Sequence, residues 1–149
     1  MAVDVSDIFS NDTKKIIEAT ENIQTILWTE DQDITFDDAS PAKGVEGKGS
    51  IDLAANGYKK VVVQISIAFA ASIDGDAEIR IRKSTDSGTT KDTILAAGSC
   101  EITYDAGETE LITLEFNEIP WLEIGVYNGT STAGEITISA KYAGLKYIS

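Results

Sequence analysis

Residues 60–70 read Lys60-Val61-Val62-Val63-Gln64-Ile65-Ser66-Ile67-Ala68-Phe69-Ala70. Val61, Val63, Ile65, Ile67 and Phe69 recur at every second position, with Val62, Gln64, Ser66 and Ala68 between them. Successive side chains of a strand point to opposite faces, so this period of two predicts a strand with one face on a core. A helix would scatter the same five residues around its circumference.

The pattern repeats along the chain. Asp74-Gly75 turns it into residues 77–83, where Ile79 and Ile81 point in and charges point out. Ala106-Gly107 leads into residues 109–117, with Ile112, Leu114 and Phe116 on one face. Residues 121–127 direct Leu122, Ile124 and Val126 inward, and residues 135–142 do the same with Ile136, Ile138, Ala140 and Tyr142. Residues 50–54 form a short strand closed by Asn56-Gly57, and residues 93–97 and 100–104 a weaker pair. About seven to eight strands separated by turn signals predict an all-β domain, an antiparallel β-sandwich. No helical pattern alternates with the strands, which argues against a parallel α/β sheet. A jelly roll, an immunoglobulin-like sandwich and a small barrel all fit this spacing.

Residues 1–33 differ and read as an N-terminal arm, leaving residues 34–149 as the sandwich domain. Ser10-Asn11-Asp12-Thr13 can cap a short helix over 14–22 with Ile16, Ile17 and Ile23 on one side. Residues 23–28 fit a strand as well as a helix. Val3, Val5, Ile8, Phe9, Ile16 and Trp28 have no place in the later alternation and are the candidates for contact with a partner chain. An acidic stretch follows, with Glu30, Asp31, Asp33, Asp37 and Asp38. Residues 39–49, with Pro41, Gly44, Gly47 and Gly49, read as a loop between arm and domain.

Composition narrows the chemistry. The chain has 149 residues, 25 acidic and 12 basic, for a formal net charge of −13. Such a surface is repelled by nucleic-acid phosphates and anionic membranes, so neither is an expected partner. There is no histidine, which removes imidazole acid–base chemistry and the common zinc sites. Cys100 is the one cysteine, so no internal disulfide can form, and a buried small apolar role is expected of it. No apolar run approaches the roughly 20 residues of a membrane helix, and the first residues lack a signal-peptide pattern. Synthesis in the cytosol without signal-peptide export is the expectation.

The remaining constellations are weak. Asp74-Gly75-Asp76 with Glu78 has carboxylates suited to calcium but not the spacing of a calcium loop, so no metal is expected. The cluster at 30–38 is a solvated acidic loop or a dock for a basic partner. A glycosidase needs two carboxyls facing across a cleft, and Glu115 and Glu123 lie on outward strand faces. No catalytic residue and no cofactor is assigned. A carbohydrate-binding module would use Trp121, Tyr127 and Tyr58 as stacking platforms, although such rings more often pack inside.

From residue 50 onward the order of features resembles that of small virion structural proteins of tailed bacteriophages. The opening reads Ile51-Asp52-Leu53-Ala54-Ala55-Asn56-Gly57-Tyr58, followed by the long alternating strand. Then come residues 79–84 with Asp86-Ser87-Gly88, the segment Trp121-Leu122-Glu123-Ile124-Gly125-Val126, and a final alternating strand. The chain departs from that pattern where Ala70-Ala71-Ser72 stands in place of a proline turn, and in lacking a closing Arg/Trp cluster. The resemblance implies a structural subunit of the virion, most specifically a capsid decoration (cement) protein. It would be homo-oligomeric and would bind the major capsid protein or other virion proteins. A neck, tail or fibre subunit is the alternative, and a carbohydrate-binding β-sandwich the second.

Overall fold

The structure is a computed structural model and describes residues 25–92, 99–103, 105–129 and 134–148. Nine strands run through them: β1 (Thr25–Trp28), β2 (Gln32–Ile34), β3 (Glu46–Asp52), β4 (Tyr58–Phe69), β5 (Ala77–Ser84), β6 (Ser99–Ile102), β7 (Thr109–Asn117), β8 (Trp121–Asn128) and β9 (Ile136–Ile148). One helical turn, α1 (Leu53–Asn56), separates β3 from β4. It starts because Asp52 accepts from the Ala55 amide, and it stops at Gly57, whose φ of 72° suits a residue without a β-carbon.

Two antiparallel sheets face each other, one in the order β1-β9-β4-β7 with β2 also on β9, the other in the order β3-β8-β5-β6. The pairing is nested. Gln32 faces Tyr142, Glu46 faces Tyr127, Lys60 faces Asn117 and Ala77 faces Ile102. Each step inward along the first half of the chain meets a step back along the second, so β2 to β9 form one long hairpin folded between β5 and β6. Rolled so that its successive rungs fall alternately in the two sheets, this hairpin is a jelly-roll sandwich. The topology selects among the three arrangements that the alternation alone leaves equal.

The core lies where the period of two puts it. Val61, Val63, Ile65, Ile67 and Phe69 of β4 are buried, and across from them lie Ile79 of β5 and Leu122, Ile124 and Val126 of β8. Ile136, Ile138 and Ala140 of β9 complete the inner layer. Burying each of the valine, leucine, isoleucine and phenylalanine side chains among them contributes about 1.5–3 kcal/mol, which fixes the register, since a slip by one residue would turn the inner set outward. Asn128, fully buried, donates from Nδ2 to the carbonyls of Pro41 and Gly134 at 2.8 Å and ties two loops to the end of the sandwich.

Three expectations change. First, β3 begins at Glu46, inside the stretch read as a loop. Gly47 and Gly49 sit where the chain between β2 and β3 crosses the strand, so that a β-carbon at 47 would meet the Asp38 carbonyl and one at 49 the Ile34 side chain. The glycines signal close approach of backbone, not a loop. Second, β1 and β2 hydrogen-bond to β9, so a boundary after residue 33 passes through a strand of the sheet. Third, Cys100 is exposed: among the described residues β6 is a four-residue strand at the edge of its sheet, paired with β5 alone. The helix expected over 14–22 and the candidates Val3, Val5, Ile8, Phe9 and Ile16 lie outside the described residues.

Candidate functional site

Trp28 is the one arm candidate within the described residues. It ends β1, opposite Leu145, while Ile26 lies opposite Tyr147. Gly144 pairs with the inward-facing Val61, so Leu145 and Tyr147 point outward, and Trp28 with them. Thr29 fixes this edge: its amide donates to the Gly144 carbonyl at 2.8 Å, and its hydroxyl accepts from the Gly144 amide at 2.9 Å. Trp28 nevertheless remains 47% exposed and Tyr147 44%, with the Lys59 ammonium 5.7 Å from the Tyr147 ring centre. The register thus places two exposed aromatic residues diagonally across β1 and β9 on the outer face of the sheet. Nothing in the alternation pointed to Tyr147; its register against β1 places it.

The outer face of the other sheet is organised by charge. Glu46 of β3, Arg80 and Arg82 of β5 and Glu123 of β8 converge there, and these are the only two arginines of the chain. Arg82 donates to both oxygens of Glu46, at 2.6 and 2.9 Å, and to Glu123 at 3.0 Å. Arg80 adds a bond to Glu46 at 3.3 Å and one to Glu78 at 3.0 Å. Burial alone would push the Glu46 carboxyl up. The hydrogen bonds and charge of Arg82, then of Arg80, outweigh it and hold the carboxyl below its usual range. Hydrogen bonding to Glu46 raises Arg82 correspondingly, against its own burial.

Beside this network a cleft of about 410 Å³ opens between β3 and the chain leading into it. Its lining includes Phe36 and Asp37 on one side, Lys48 and Ser50 along β3, and Lys91 with Glu123 at the back. Lys91 donates to Glu123 at 2.7 Å and stands 5.2 Å from the Trp121 ring. It is carried there by the loop after β5, where Ser84 and Asp86 bond each other at 2.6 Å and Asp86 accepts from the Thr90 amide at 2.7 Å. The Ser84 hydroxyl and those Thr90 bonds pull the Asp86 carboxyl down to about 2.

The other sequence candidates separate. Glu123 faces outward yet is buried beneath Arg82 and Lys91, and Glu115 pairs with Lys60 at 2.6 Å on the opposite sheet. The two carboxyls therefore point away from each other and form no glycosidase pair. Trp121 is only 8% exposed, with Gly88 and Lys91 over it. Tyr127 lies under the Arg80 guanidinium at 4.0 Å, and Tyr58 packs edge-on against Tyr142 at 6.0 Å. None of the three is an open platform. In the acidic stretch Asp31 pairs with Lys141 at 3.0 Å, Asp37 accepts from the Lys48 amide and Asp38 from the Ser40 amide. Among the described residues no three His, Cys, Asp or Glu side chains converge on a metal position.

No protein-family model matches the chain, and no curated protein sequence does. Among solved structures it is similar to a family 16 carbohydrate-binding module at 8% identity and a TM-score of 0.37, covering 74% of each chain. A carbohydrate-binding module studied for specific mannan recognition gives 12% identity and 0.39, covering 85% of this chain and 91% of that one. A structure described as a family 4 carbohydrate-binding module gives 12% and 0.34, covering 87% and 83%. Likenesses of this size carry no argument about what the chain binds.

Proposed function

We propose that this jelly roll is an attachment module that acts by binding, as a structural subunit of a phage-type virion, most specifically a capsid decoration protein. The observation that carries the reading is the exposed pair Trp28 and Tyr147 on an edge whose backbone Thr29 holds fixed. Aromatic side chains left open on a rigid surface are typical anchors of protein–protein contacts. The surplus of acidic residues suits an outward-facing subunit and disfavours contact with packaged DNA. Repetition over a symmetric particle would multiply weak contacts into firm attachment.

The test is copy number in purified virions together with binding of wild-type and Trp28→Ala protein to particles stripped of it. The expected result is stoichiometric binding that the substitution abolishes. Absence of the chain from virions would overturn the reading, and a copy number far below that of the capsid protein would move it to the neck, tail or fibre.

A second reading, carbohydrate binding, is favoured by the cleft at Lys48 and Lys91. Its volume lies within the range of small-molecule sites, and its lining combines hydroxyl, carboxylate, ammonium and one aromatic ring.

A further inference from the structure

On the carbohydrate reading, we infer that the cleft selects an acidic sugar, a pyranose bearing a carboxylate. The charges on its walls point there. Lys48 makes no hydrogen bond or ion pair through its ammonium among the described residues, although the protein as a whole carries a formal charge of −13. Lys91 spends one hydrogen bond on Glu123. An ammonium has three donors, so Lys91 keeps capacity for a ligand. Both lysines line one cleft, so an anion bound there lies between two cationic side chains.

Of the two carboxylates in the cleft, Glu123 is offset by two cations, which reduces its repulsion of an anion, while Asp37 is hydrogen-bonded but keeps its charge. Glu123 is held by Arg82 on one oxygen and Lys91 on the other, and Arg82 is shared with Glu46. The Asp37 carboxylate accepts from the Lys48 amide at 2.7 Å. Their remaining lone pairs can accept from sugar hydroxyls, as can Ser50. Phe36, partly buried against the core, adds apolar surface to the lining. A bare inorganic anion would use the lysines and leave the acceptors and the ring idle; a carboxylated sugar uses all of them.

The test is calorimetric titration of the full chain with uronic-acid oligosaccharides and with neutral oligosaccharides of the same linkage, in low and moderate salt. Binding of the acidic series alone is expected, weakened by salt and by at least about fivefold in Lys48→Ala. Lys48 is exposed, so that variant keeps the fold, and a Lys48→Arg control should retain affinity. Equal binding of both series would overturn the selectivity while leaving the carbohydrate reading intact. No binding of either series would remove both. Binding of acidic sugar unchanged in Lys48→Ala would place the ligand elsewhere and overturn the inference.

Discussion

The Glu46 carboxylate fills the space that a β-carbon on Gly125 would occupy. From β3 it reaches over β8 to Arg80 and Arg82 on β5, and the missing side chain at 125 is what opens the path. One ion-pair network therefore ties three strands of the sheet across its outer face. Gly125→Ala should displace the carboxylate and leave Arg82, itself largely buried, short of its principal partner. The expected loss is about 1–3 kcal/mol by urea unfolding, with no change in far-ultraviolet dichroism. A variant within about 0.5 kcal/mol of wild type would show that Glu46 relocates without cost.

The same network predicts how stability depends on pH. The folded state holds the Glu46 carboxyl below its usual value, so folding favours the ionised form. That contribution is complete above the unfolded carboxyl value, about 4.3, and is lost as pH falls through the lower folded one. Asp86, pulled to about 2, acts in the same direction over a lower window. Unfolding free energy should therefore decline from about pH 4.5 downward, and Glu46→Gln should be less stable at pH 7 with a flatter decline. Parallel pH profiles for wild type and variant would contradict the assignment.

How far the sequence discloses this molecule depends on the range of the interaction. Alternation within β4, β8 and β9 is local, and it places Val63, Ile124 and Ile138 in the core without knowledge of any partner strand. The glycines at 47 and 49 read as loop signals, and Gly125 carries no signal at all within its strand, because their reasons lie elsewhere in the chain, at Asp38, Ile34 and Glu46. Outward-facing Glu123 reads as a surface residue, since nothing near it in sequence announces Arg82 or Lys91, 41 and 32 positions away. The cleft escapes for the same reason: Phe36, Lys48 and Lys91 come from three segments joined by the fold. Trp28 was legible as an outlier to the pattern, but Tyr147 beside it needed the register of β1 on β9.

Cys100 supplies a direct check on the edge of the second sheet. Its side chain is exposed on β6, so the native protein should react fully with a thiol reagent such as dithionitrobenzoate without denaturant. Reaction only after unfolding would mean that the β6 edge is covered. In virions, protection of the same thiol relative to the isolated chain would map that edge into an interface.

The loop after β5 is built to cover Trp121, and Gly88 is where it touches. Gly88 has a φ of 84°, and a β-carbon there would come within 2.7 Å of the indole ring. The Gly88 amide also donates to Ser84 Oγ at 2.9 Å, which leaves the loop little freedom to move sideways. Gly88→Val combines an unfavourable backbone with a collision, so the loop must lift from the ring. In a Trp28→Phe background, Trp121 is the remaining tryptophan, and its emission should shift to the red as water reaches it. The lifted loop would also carry Lys91 away from Glu123, stranding a buried carboxylate that Arg82 alone must then hold. A destabilisation of about 1–3 kcal/mol should accompany the shift. An unshifted spectrum with the stability loss would assign the cost to backbone strain and leave the loop seated on Trp121.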